Sequence, residues 1–244
     1  MKKAENKLYC FWLGDNPMSQ ARSKGLELMK QNSGLDVHFI THETLCDYID
    51  IQDLHPAYKY LSLNHQSDYL RCYFMHHFGG CYCDVKPIYE SWLPTLEKLN
   101  SDNNAMIAGY PEVGAYGVGK IYKSSLDLNE SRFKNMAAYI KWRYLQLNYK
   151  KLIGNGACIS KPNTVITQEW WNELNSRMDR LSNQLEKTPS QHPKEGLGII
   201  CDGVPSKYPV PWAYLMGEIF APIIHKHTRR VIKTLPMPDC NNYR

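Results

Sequence analysis

Asp68 and Arg71 stand three residues apart in Ser67-Asp-Tyr-Leu-Arg71, a spacing that puts both on one face of a helix. A carboxylate there accepts hydrogen bonds from hydroxyl groups, and a guanidinium offers a rigid fork of donors to a hydroxyl or phosphate oxygen. The same two residues also suit a plain ion pair near a helix N-terminus. Asp84 follows the run Cys81-Tyr-Cys83, itself preceded by Gly79-Gly80. A carboxylate at the carboxyl end of a strand borders the crevice in which open α/β sheets take their ligands. It fits a hydroxyl, a divalent cation near diphosphate oxygens, or a simple turn cap. Two residues on, Lys86 carries a cation that would repel a metal ion but neutralise a phosphate group.

These residues need elements to hold them. Leu8 to Leu13 reads as a strand stopped by Gly14-Asp-Asn-Pro17. Ser19 can cap a helix running to about Gln31, with Leu26, Met29 and Ala21 on its buried side, and residues 35–40 form a second strand. Residues 60–78 predict a helix that begins near Leu63 or Asn64, with i,i+4 pairs at Leu70/Phe74 and Tyr73/His77. One glycine of Gly79-Gly80 supplies its left-handed end, and a strand from Cys81 to Val85 follows. Pro87 keeps Lys86 extended. Further strands are expected at 105–108 and 157–159, an exposed, mobile connection at 113–129, and a helix at 132–147 carrying Met136, Ile140 and Tyr144 four apart. Gly154 marks a break after that helix. Thr164 can cap a long helix whose stripe is Ile166, Trp170, Leu174, Met178, Leu181 and Leu185. A polar connection at 188–198, prolines at 209 and 211, and an apolar stretch at 212–224 complete the chain. The strand–helix–strand opening predicts an α/β layer, and no repeat or clear linker divides residues 1–244.

Composition narrows the classes. With 244 residues, 43% hydrophobic and 22% charged, the chain is ordinary globular material, not a disordered tail, a collagen or a disulfide-stapled miniature. Twenty-nine basic against 24 acidic residues give a net charge of +5, which favours phosphate-bearing ligands but defines no nucleic-acid groove. The 17 tyrosines are too scattered to supply one. Eight cysteines without an apolar leader before Cys10 predict mostly buried thiols in a reducing, cytoplasmic setting. No apolar run is long enough for a transmembrane helix. The basic segment 225–233 suits a solvated face or a weak peripheral contact with an anionic membrane. The chain has no glycine-rich dinucleotide loop after its first strand, no Gly-x-Ser-x-Gly elbow, no phosphate-binding Walker loop and no His-Glu-x-x-His helix.

Residues 64–85 resemble the donor-binding core of GT-A glycosyltransferases of the capsular-polysaccharide and initiation-mannosyltransferase type, a DXD-type, family-32-like class related to the large clostridial glucosylating toxins. That pattern is Ser-Asp-x-x-Arg on a helix followed by Gly-Gly-x-Tyr-x-Asp on a strand. Ser67, Asp68, Arg71, Gly79, Gly80, Tyr82 and Asp84 match it. Phe11-Trp12-Leu13-Gly14 is similar to the family's first strand, whose tryptophan lies against the nucleotide base. The clear likeness covers about residues 9–92, and a looser one reaches Asn155-Gly156 and Trp212–Gly217.

The resemblance implies a GT-A-like (Rossmann-like) fold, a mixed, mainly parallel sheet flanked by helices. Its nucleotide-sugar-binding core would span about 8–110, and its acceptor and closing region about 111–244. It implies transfer of a hexose from a nucleotide diphosphate sugar to a saccharide or glycan hydroxyl, with retention of anomeric configuration. Asp68 would hold sugar hydroxyls, Arg71 would brace sugar or phosphate, and Asp84 would act at the leaving oxygens with Mn or Mg, or with Lys86. Trp12, Tyr82, Asn155, Gly156 and Trp212 would contact donor or acceptor. The family places a second carboxylate where this chain has Lys86. A metal would then need Asp84 and another ligand such as His225 or His227, or the lysine would replace it. A catalytically idle sugar-nucleotide-binding module is the alternative.

Overall fold

A computed structural model describes residues 1–120 and 132–241. The chain opens with β1 (Lys7–Trp12), α1 (Gln20–Asn32) and β2 (Asp36–Thr41). The Ser19 hydroxyl accepts from the Arg22 amide and starts α1, whose buried residues are Gly25, Leu26 and Met29. Ala21 is only half-buried. After three short 3-10 turns comes α2 (Leu63–His77), capped by the Ser62 hydroxyl, and then the short strand β3 (Gly80–Cys83). Helix α3 (Leu93–Ser101), an element without a sequence-based expectation, has Pro94 in its first turn.

Strand β4 (Ile107–Pro111) runs further than expected. Residues 121–129 of the connection expected at 113–129 lie outside the described residues, and a 3-10 turn at Ala115–Gly117 lies inside them. Helix α4 (Arg132–Leu147) is followed by β5 (Ile153–Ser160), so Gly154 sits within a strand and does not mark the break. Helix α5 (Val165–Lys187) begins in a reciprocal capping box between Thr164 and Thr167 and buries all six residues of its stripe. A two-residue hairpin, β6 (Ile200–Cys201) and β7 (Val204–Pro205), precedes α6 (Gly217–Lys226) and β8 (Val231–Ile232).

The main sheet has the order β2-β1-β3-β5-β4-β8. Among these strands β5 alone is reversed: it pairs antiparallel with β3 and β4, while every other neighbouring pair is parallel. The fold is therefore α/β with a mixed, mainly parallel sheet between helices. One face is covered by α2, α5 and α6, through Tyr69, Phe74, Trp170 and Phe220. The other packs on α1 and α3, through Leu26, Met29, Leu96 and Leu99. Five of the eight cysteines (Cys10, Cys72, Cys81, Cys83 and Cys158) are buried, and all eight are free thiols. No helix among the described residues is long and apolar enough to cross a membrane.

Helix α4 forms where expected and buries a different face from the one its four-apart residues mark. Met136, Ile140 and Tyr144 lie on the outside, and Trp142, Leu145 and Gln146 turn inward. The Trp142 indole donates to the Val118 carbonyl, and the Gln146 amide donates to that of Ala115. Those polar anchors fix which face is buried, although the opposite face is equally apolar.

Gly79 closes α2 with φ +70°, its amide bonded to the Phe74 carbonyl at 2.9 Å, and Gly80 follows at φ +89°. Both glycines are left-handed, where the sequence required only one. A Cβ at Gly79 would lie 2.5 Å from Pro162 Cδ and 2.8 Å from the Ser160 carbonyl oxygen. Gly79→Ala is therefore expected to cost about 2 kcal/mol or more, read as a lowered midpoint in urea unfolding.

Candidate functional site

The reversed direction of β5 builds the site. Its N-terminal end meets the carboxyl end of β3, with Cys83 opposite Ala157 and the Asp84 amide bonded to the Gly156 carbonyl at 3.0 Å. Helix α2 lies across the same edge and presents Asp68 and Arg71 from one face. Arg71 is the hub. Its Nη2 lies 3.4 Å from Asp68 Oδ1, 3.0 Å from Asp84 Oδ1 and 2.9 Å from the Tyr82 hydroxyl. Its Nη1 donates to the Asn155 carbonyl, and the guanidinium lies over the Tyr82 ring, 4.2 Å from its centroid. Tyr82 donates to Asp84 Oδ1 at 2.8 Å, and its hydroxyl lies 3.4 Å from that of Ser67. Lys86 Nζ holds the other oxygen of Asp84, Oδ2, at 3.0 Å.

Two carboxylates on one cation end with opposite titration behaviour. Burial drives Asp68 up to about 7, with Asp84 adding to the rise and Arg71 opposing it. Burial also acts on Asp84, but Arg71 and Lys86 outweigh it and hold this carboxyl below its ordinary value. The Asp84 side chain keeps 30% of its surface exposed, so the cluster opens to solvent there. Burial works against the Lys86 charge, and Asp84 more than compensates, raising its pKa above the usual lysine range.

Gly156 completes the floor. A Cβ there would sit 3.2 Å from Asp84 Oδ2, Lys86 Nζ and the Tyr110 hydroxyl, so a larger residue would crowd all three. Tyr110 belongs to no motif in the sequence. Its hydroxyl accepts from the Gly156 amide at 3.3 Å, and the longer β4 is what brings it there. Asn155 enters through its backbone carbonyl.

The remaining candidates are spread around this cluster. Trp12 ends β1, next to β3, but strand alternation turns it to the face opposite Tyr82. Its indole donates to the Asn16 carbonyl at 2.9 Å. Trp212 is 48% exposed, and its carbonyl lies 3.3 Å from Nε2 of His65, one helical turn before Asp68. His65 is fully buried, which lowers its pKa to about 4, and its Nδ1 lies 2.9 Å from the Ser62 hydroxyl and 3.1 Å from that of Tyr208. This strut between α2 and the 208–212 segment leaves no periodic trace in sequence.

The expected metal set does not assemble. His225 lies edge-on to Tyr144 of α4, 5.1 Å between centroids, and its Nε2 is buried without a hydrogen-bond partner. His227 Nε2 lies 3.1 Å from Glu169. Both oxygens of Asp84 already face cations. Among the described residues no three His, Cys, Asp or Glu side chains are grouped to hold an ion. A donor set of one carboxylate already bound by arginine and lysine does not fit Mn or Mg.

A sequence model of the capsular polysaccharide synthesis protein family matches residues 2–103, and over these residues the chain is similar to that family. The match includes α2, β3 and every side chain of the cluster except Tyr110. Among solved structures, the PaToxG glycosyltransferase aligns at 14% identity with a TM-score of 0.39, over 76% of this chain. The chain spans 64% of the length of that structure. No curated protein matches.

Two predictions test the electrostatics. An unfolded aspartate titrates near 3.8, whereas Asp68 titrates at about 7, so the protonated carboxyl stabilises the fold below pH 4 and that contribution is lost as pH rises to 7. Asp68→Asn should therefore gain melting temperature over the parent on going from pH 4 to pH 8, by at least about 4 °C in paired thermal melts. Arg71→Met removes the shared donor from two carboxylates and a tyrosine, and should cost about 3 kcal/mol or more in urea unfolding at pH 7.

Proposed function

We propose that the chain transfers a hexose from a nucleotide diphosphate sugar to a hydroxyl of a saccharide or glycan, with retention of anomeric configuration. The observation that carries the reading is the meeting of Asp68, Arg71, Tyr82, Asp84 and Lys86 at one solvent-open edge, the carboxyl end of β3. The likeness of residues 2–103 to capsular polysaccharide synthesis proteins supports it. Asp68 holds sugar hydroxyls. With a pKa of about 7 it can accept or donate a hydrogen bond near neutrality. Arg71 braces the sugar and the adjacent phosphate. Lys86, kept charged by Asp84, supplies positive charge where the diphosphate leaves, the work that a second carboxylate and a metal would otherwise share. Asp84 fixes both cations. Trp12 at the end of β1 and the half-exposed Trp212 border the donor, and Asn155-Gly156 border the sugar.

A second reading, a sugar-nucleotide-binding module without turnover, draws on the saturation of Asp84 by two cations. A panel of UDP-, GDP- and dTDP-hexoses, assayed for binding, slow hydrolysis and transfer to simple saccharides, separates the two. One donor should bind and turn over, with EDTA changing the rate by less than about twofold. Asp84→Asn and Lys86→Met should each lower kcat by about a hundredfold or more, with circular dichroism unchanged. Binding without turnover favours the idle module, and no binding of any donor removes both readings.

A further inference from the structure

Helix α4 is apolar on both sides. Its inner face packs on the body of the protein, and its outer face carries Met136, Ile140, Tyr144 and Leu147 at i, i+4, i+8 and i+11. Ile140 is 60% and Leu147 78% exposed. At 100° per residue these four fall within one quarter of the helix circumference, with Arg143 beside one edge and Lys141 about 60° beyond the other. Residues 132–151 contain six lysines or arginines and no aspartate or glutamate, a local charge of +6 against +5 for the whole chain. The basic segment 225–233 adjoins it: Lys233 Nζ donates to the Lys150 carbonyl, the Thr228 hydroxyl donates to that of Lys151, and His225 meets Tyr144. Among the acidic side chains nearby, Glu169 is engaged by Lys226 and His227.

We infer that this face docks on the surface of a lipid bilayer with anionic headgroups, the helix lying in the interface plane. An apolar stripe edged by long cationic side chains is the form such helices take: the stripe enters the acyl boundary while lysine and arginine reach back to the phosphates. The charge decides between occupants. A second copy paired across a two-fold axis would set the same basic face against itself. An anionic bilayer meets the stripe and the charge together, each exposed lysine or arginine adding to the attraction. This surface is separate from the β3 edge, so its test does not depend on donor chemistry.

Co-sedimentation of the full chain with vesicles of phosphatidylcholine alone, or with about one third phosphatidylglycerol, tests it. The chain should bind only the anionic vesicles, and high salt should release it. Ile140→Ser with Leu147→Ser should weaken binding about tenfold or more, as should Lys150→Glu with Lys151→Glu, with melting temperature unchanged because all four side chains are exposed. Absence of binding to anionic vesicles overturns the inference, as does binding that both double variants leave intact. Self-association that Ile140→Ser/Leu147→Ser abolishes, without vesicle binding, assigns the face to a second copy instead.

Discussion

A single buried guanidinium is the constraint from which the rest of this molecule follows. Arg71 is charged at every accessible pH and sits almost out of solvent, so the fold must surround it with acceptors or bear the cost of an uncompensated charge. The acceptors come from three elements: Asp68 from α2, Tyr82 and Asp84 from β3 and its end, and the Asn155 carbonyl from β5. That requirement explains the tightness of the turn at Gly79-Gly80, which sends the chain from α2 back along its own flank. It also gives the reversed strand a purpose. A parallel β5 would put its carboxyl end, not Asn155-Gly156, beside Asp84.

The same hub separates the two carboxylates. Asp68 shares its cation with a neighbouring anion in a dry setting, while Asp84 has a second cation, a tyrosine hydroxyl and a path to water. Environments that push like groups apart in pKa are how one site obtains a proton-bearing group and a permanent anion together. Neither group achieves this alone.

Local physics made part of this legible. The i,i+3 spacing of Asp68 and Arg71, the alternation of Tyr82 with Asp84, the caps at Ser19 and Thr164 and the six-residue stripe of α5 all depend on neighbours in sequence. What stayed hidden depends on distant pairing. Strand direction is not written in β5, so the Asn155 carbonyl could not be placed. Tyr110 reaches the site only because β4 extends past Ala108. Trp12 lies on the opposite side of the sheet from Tyr82 because Tyr9 pairs with Tyr82, a register set by tertiary packing. Helix α4 has two apolar faces, and periodicity cannot choose between them. The hydrogen bonds of Trp142 and Gln146 do.

Charge balance links the departure at Lys86 to the behaviour of Asp68. Of the four aspartate, lysine and arginine side chains in the cluster, Arg71 and Lys86 are cationic, Asp84 is anionic, and Asp68 changes charge at about 7. Their sum is therefore neutral when Asp68 is ionised and +1 when it is protonated. A diphosphate arriving beside Lys86 would add negative potential and raise the Asp68 pKa further, so the carboxyl would take up a proton as the ligand binds. A site with a second carboxylate in place of Lys86 would begin two charges more negative and would need a divalent cation to accept the same ligand. If the proposed donor binds there, one substitution of sign changes which partner would balance its phosphate, and the nearest buried carboxylate would supply the remaining adjustment.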